Sequence, residues 1–144
     1  MSDTMNILFL CTGNSCRSQM AEGWCRSMGS DMVECASAGL EAHGLNPNAV
    51  QVMAEAGVDI SKQCSNTVDD VIDGHFNLVV TVCGHAHEHC PVWPGNVEIL
   101  HMPFDDPPAL AREAASDEEA IGHYRRVRDE IRESIAALLA GRTD

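Results

Sequence analysis

The chain alternates between short apolar runs and longer stretches in which apolar residues recur every three or four positions. Residues 6–11 are almost wholly apolar and run into the turn formers Gly13 and Asn14, which predicts a strand buried on both faces. Over 18–28, Met20, Ala21, Trp24 and Cys25 fall near helical spacing, and Gly29 supplies a stop. A second strand is expected over 32–38, closed by Gly39. Asn46 reads as a helix N-cap with Pro47 at the first helical position and Gly57 at the end, and 65–73 reads as a short helix. Residues 76–82 form the most apolar strand candidate, and 97–102 form another. The last helix is the plainest: Ser116 and Glu119 make a capping box. Ile121, Tyr124, Val127, Ile131, Ile135 and Leu138 then share one face up to Gly141. Strands alternating with helices predict an α/β fold, a single three-layer domain over 1–144. Its centre is a four-stranded parallel sheet with helices on both faces.

With 44% hydrophobic and 22% charged residues the chain is expected to be globular, not disordered. Its start lacks the pattern of a signal peptide, and no stretch reaches the roughly 20 apolar residues of a membrane helix. A soluble, cytoplasmic protein with no membrane partner is expected, and a monomer. The net charge of −13, with one lysine (Lys62), argues against binding nucleic acid, since such a chain gains nothing from counterion release. It also repels small anions at long range, so an oxyanion site must be made locally, from backbone N–H groups and arginine. Seven cysteines stand at 11, 16, 25, 35, 64, 83 and 90. An odd count without a secretion signal argues against a structural disulfide framework and for nucleophile, redox or metal chemistry, with Cys25 and Cys35 as small core residues.

The chemistry concentrates at Cys11-Thr12-Gly13-Asn14-Ser15-Cys16-Arg17-Ser18. A cysteine ends a strand, five residues intervene, and an arginine opens a helix. Gly13 and Asn14 tolerate left-handed backbone, so the N–H groups from Thr12 through Gly13, Asn14, Ser15 and Cys16 can turn inward as an anion nest. The helix N-terminus adds its positive end, and Arg17 can grip two oxygens of a tetrahedral anion. The same field is expected to hold Cys11 as thiolate, with Ser18 donating a hydrogen bond to its sulfur. A nucleophile at the base of an oxyanion cradle suits attack on phosphorus or arsenic.

Extended by Gln19-Met20-Ala21-Glu22-Gly23-Trp24, this loop resembles the signature of thioredoxin-coupled arsenate reductases, relatives of the low-molecular-weight protein tyrosine phosphatases. Ser37-Ala38-Gly39, His43-Gly44 with Asn46-Pro47, Thr81-Val82-Cys83, Cys90-Pro91 and Phe104-Asp105-Asp106-Pro107 match in order, so the resemblance spans nearly the whole chain. It implies a low-molecular-weight phosphatase-like fold and reduction of arsenate to arsenite without a cofactor. It also implies thioredoxin as reductant and weak phosphatase activity as a by-product. By resemblance Asp106 is the general acid that protonates the leaving oxygen. From the residues alone, Asp105 competes for that role, and both could be solvated turn residues before two stiffening prolines.

Reduction of arsenate takes two electrons, so two thiols must end as a disulfide. The resemblance implies the order: Cys11 attacks arsenate, Cys83 attacks Cys11, and Cys90 attacks Cys83, leaving Cys83–Cys90 for thioredoxin. Cys83 ends a strand at the same sheet edge as Cys11. Seven residues of helix would rise about 10.5 Å between Cys83 and Cys90, whereas a disulfide needs Cα atoms roughly 4.4–6.8 Å apart. A helix there must therefore unwind, which Gly84 eases. Cys16 aligns with no redox role.

Two other functions compete. A phosphatase needs only Cys11, Arg17 and Asp106, but those relatives often place Tyr after Asp-Pro, where Pro108 stands here. They also present aromatic walls, and this chain has only Phe9, Trp24, Phe76, Trp93, Phe104 and Tyr124. Alternatively, Cys83, His85, His87, His89 and Cys90 could bind a metal or arsenite, with His85 and His89 on one helix face. Some arsenate reductases of this type bind potassium beside the loop. Asn14, Glu22 and Ser37 match that site, but the acid expected near position 66 is Asn66.

Overall fold

Ile7, Leu8, Phe9 and Leu10 are all fully buried, as expected for a strand covered on both faces. They form the middle of β1 (Met5–Cys11) in a computed structural model of the protein. The structure describes residues 5–29, 32–88, 90, 93 and 97–142, with backbone alone at His85, His87 and Arg142. The chain continues through α1 (Arg17–Met28), β2 (Val33–Gly39), α2 (Pro47–Glu55), α3 (Val68–Val71) and β3 (Leu78–Thr81). It ends with α4 (Gly84–Glu88), β4 (Glu98–His101), α5 (Pro107–Arg112) and α6 (Asp117–Arg142). The four strands lie parallel in the order β2-β1-β3-β4, flanked by helices, as the pattern predicts.

This order places the site. The chain leaves β1 toward β2 on one side and returns to β3 on the other, so the loops after β1 and β3 part company and open a crevice at the strands' C-terminal ends. Register does the rest. Leu10 pairs with Thr81, and Val82 N–H donates to Leu10 O at 2.9 Å, so Cys11 and Cys83 leave adjacent strands at the same height.

Most helix ends follow the sequence signals. The Asn46 side chain accepts from Asn48 and Ala49 N–H at 2.8 and 3.2 Å, and Gly57 takes positive φ (+87°) beyond the α2 end. At α6, Ser116 Oγ accepts from Glu119 N–H at 3.1 Å, but the Glu119 carboxylate reaches back to Ala115 N–H instead of Ser116 N–H. Tyr124, Val127, Ile131, Ile135 and Leu139 are the buried stripe of α6, so the last core position is Leu139 and Leu138 is only half-buried. This helix packs on α1, α2 and α5.

Two expectations are corrected. Cys25 and Cys35 are bonded to each other, with Cα atoms 6.3 Å apart, and tie α1 to β2. Cys25 is fully buried in the core as expected; the pairing arises because α1 lies against β2. The segment after Asp106 is also no stiffened loop. Pro107 and Pro108 occupy the first two positions of α5, where a missing N–H costs no helical hydrogen bond.

Candidate active site

The loop from Cys11 to Arg17 is shaped by what takes its carbonyls. Leu40, Glu41 and His43 N–H donate to Cys11, Thr12 and Gly13 O at 3.2, 2.9 and 2.9 Å, and Asn46 N–H donates to Ser15 O at 2.9 Å. Asn14 O accepts from Gln19 Nε2 at 3.0 Å and from Ser65 Oγ at 2.9 Å. With its carbonyls turned outward, the loop directs its N–H groups inward, as an anion nest requires. Asn14 supplies the left-handed residue (φ +48°). Gly13 serves a different purpose: a side chain there would have to push the His43 imidazole aside.

Cys11, Thr12, Gly13, Ser15, Cys16 and Arg17 line a cavity of about 280 Å³ together with His43, Asp106, Pro108 and Arg112. Arg17 Nη1 donates to Phe104 O at 3.1 Å and Nη2 lies 3.8 Å from Asp106 Oδ1, so the guanidinium is braced across the cavity. Asp105 and Asp106 part ways. Asp105 pairs with Arg126 on α6 at 3.1 Å, whereas Asp106 lines the cavity. Asp106 sits at the N-cap of α5 but makes no side-chain capping bond, which leaves its carboxylate to the cavity.

Cys83 is buried beside Cys11. Its sulfur lies 3.2 Å from Thr12 Oγ1 and accepts from Ala86 N–H, in the first turn of α4, at 3.4 Å. The two thiols titrate as one pair, so that ionising either holds the proton on the other. Cys83 is held down to about 5, first by Cys11 beside it, then by Thr12, Ala86 and Arg17, against burial. Cys11 is pushed up, first by Cys83 and then by burial, against Arg17 and the Thr12 N–H. The pair carries one negative charge between its two sulfurs, and Arg17 and the Thr12 N–H favour its resting on Cys11. Cys16 is pushed up to about 12 by burial and stays a thiol.

Ser18 departs from expectation. Its hydroxyl is fully buried and accepts from Asn14 Nδ2 at 2.8 Å, with no bond to Cys11 among the described residues. Cys90 is half-buried, and α4 stands between it and Cys83. The proposed metal cluster falls outside the described residues, which exclude His89 and the side chains of His85 and His87. Gln19, unassigned by sequence, is fully buried and ties Asn14 to Cys64 O at 2.9 Å, itself held by Gln63 at 2.8 Å.

The candidate potassium ligands are occupied by donors. Glu22 Oε1 accepts from Ser37 Oγ and Oε2 pairs with Arg26, each at 2.6 Å. Asn14 Oδ1 accepts from Asn66 N–H at 2.6 Å, and Ser37 O accepts from Asn66 Nδ2 at 3.4 Å. Burial raises Glu22, opposed by Ser37 and Arg26. An ion would have to displace a guanidinium already beside the one carboxylate, so these residues do not fit it. Exchanging potassium for sodium chloride at equal ionic strength should leave Tm and turnover unchanged; a potassium-specific rise in Tm would restore the site.

The profile of the low molecular weight phosphotyrosine protein phosphatase family matches residues 6–143. The chain belongs to that family. Within this phosphatase family it is similar to an arsenate reductase of Halalkalibacterium halodurans, 55% identical over 125 residues, covering 87% of this chain and 88% of that one. A solved arsenate reductase in the oxidized state superposes with a TM-score of 0.80 at 28% identity, over 96% of this chain and 98% of that one. The thioredoxin-dependent arsenate reductase Cg_ArsC1' of Corynebacterium glutamicum superposes at 0.70 with 26% identity, over 96% of this chain and 60% of that chain.

Proposed function

We propose that the protein reduces arsenate to arsenite by a three-cysteine relay recycled by thioredoxin. The observation that carries this reading is a second buried thiol, Cys83, whose sulfur packs 3.2 Å from Thr12 Oγ1, the residue next to Cys11 in the oxyanion loop. Hydrolysis of a phosphate ester needs one thiol; a second, buried beside the same loop, is what a two-electron reduction needs.

The inward N–H groups and Arg17 hold arsenate over Cys11. With the charge of the pair on Cys11, favoured by Arg17 and the Thr12 N–H, its sulfur forms an S–As bond as Asp106 protonates the departing hydroxide. Cys83, giving its proton up to the Asp106 carboxylate or to water, attacks the Cys11 sulfur. The S–S bond forms, the S–As electron pair goes to arsenic, and As(V) leaves as arsenite. Cys90 then attacks Cys83 and frees the Cys11 thiolate. Because α4 separates Cys83 from Cys90, this step requires it to unwind. Two thiols of thioredoxin reduce the Cys83–Cys90 disulfide. The similarity to reductases, one of them thioredoxin-dependent, supports the reading. No described helix is long and apolar enough to cross a membrane.

The test is arsenite release with thioredoxin, thioredoxin reductase and NADPH, against a glutaredoxin system; no turnover with either would sink the proposal. Asp106→Asn should slow the first chemical step by roughly 10²–10⁴-fold, the usual worth of a general acid. Asp105→Asn should do much less, because its partner is Arg126. Rapid-quench measurement of both variants decides the assignment, and a reversed order would overturn it.

A further inference from the structure

Nearly every described arginine side chain has a partner. Arg17 is bound to Phe104 O, Arg26 to Glu22, and Arg125, Arg126 and Arg128 to carboxylates. Arg132 lies over Trp24, 5.5 Å from the ring centroid. Arg112 makes no ion pair, hydrogen bond or ring contact among the described residues, yet it lines the cavity of Cys11, Arg17 and Asp106. It closes the helix that Asp106 opens, about 9 Å of rise away. Helical side chains lean toward the N-terminus of their helix, so this guanidinium leans back toward Asp106 and the cavity mouth.

The rest of the chain makes such a group useful. A net charge of −13 repels a dianion before it reaches the loop. Arg17, 12% exposed, acts only once the anion is inside. We propose that Arg112 is the capture cation of this site. It draws tetrahedral oxyanions to the mouth and holds an outward oxygen while Arg17 grips the inner ones. The proposal rests on the reading of the loop as an oxyanion site. An arginine in the last turn of a helix also stabilises that helix end, and this is the role to be distinguished.

The experiment compares Arg112→Gln and Arg112→Lys with the unaltered chain, reading arsenate KM and kcat, phosphate Kd by calorimetry, and Tm. Arg112→Gln should raise KM and phosphate Kd by the same factor, on the order of tenfold at low ionic strength, with kcat much less affected. Sodium chloride should shrink the difference, because an exposed charge is screened. Arg112→Lys should recover most of the loss, since capture needs charge and not the bidentate fork. Unchanged KM and Kd with a lowered Tm would assign Arg112 to the helix end and overturn the proposal, as would a kcat loss equal to that in kcat/KM. If the unaltered chain releases no arsenite while Arg112→Gln still weakens phosphate binding, the reductase reading fails and the capture role stands.

Discussion

Cys11→Ser is expected to abolish arsenate reduction and any hydrolysis of aryl phosphates together. Serine cannot form a disulfide, so the reduction has no route. For hydrolysis the loss should be at least about 10⁴-fold, because an unactivated hydroxyl replaces a sulfur nucleophile. The cradle should survive: its shape comes from the carbonyl bonds to 40–46 and to Gln19, none of which involves the Cys11 side chain. Phosphate binding measured by calorimetry should persist in the variant, which separates lost chemistry from a lost site. Retained activity in either assay would show that another group attacks.

The second large effect divides the relay. Cys90→Ser should release about one arsenite per enzyme, since Cys11 and Cys83 complete one two-electron reduction, and then stall as a Cys11–Cys83 disulfide. That bond would form between two buried residues, 4% and 5% exposed, so thioredoxin would reach it poorly. Cys83→Ser should stop earlier and release little arsenite. Both variants should keep phosphatase activity. Hydrolysis begins at Cys11 and needs neither of the other two thiols. Single-turnover arsenite measurement with peptide mapping of disulfides checks this, and multiple turnover by Cys90→Ser would show the relay to be wrong.

What could be read from the chain was what local chemistry dictates. Cys11, Gly13, Asn14 and Arg17 announce a strand–loop–helix cradle because few other sequences satisfy that backbone. The apolar runs mark the strands because a parallel sheet hides both faces. What was hidden depends on register and packing. Cys25 and Cys35 stand 10 residues apart, a spacing that says nothing of α1 lying against β2. Cys83, 72 positions after Cys11, meets the loop only because Leu10 pairs with Thr81. The opposite directions of Asp105 and Asp106 follow from where α6 places Arg126. His43 stood inside a recognised motif without a role, because only the fold shows its ring over Gly13. Arg112 gave no signal, since the two prolines concealed the helix that carries it.

The Cys25–Cys35 bond bears on how turnover is counted. Chemical titration of the protein in this state should find five thiols, at 11, 16, 64, 83 and 90, against the seven cysteines in the sequence. One unrecycled turnover should then remove two of the five. Prior treatment with strong reductant opens a second dithiol, and its reoxidation would consume the same number of thiols without touching arsenic. Stoichiometry by thiol loss therefore becomes meaningful in a Cys25→Ala, Cys35→Ala background, where every pair that disappears belongs to the relay.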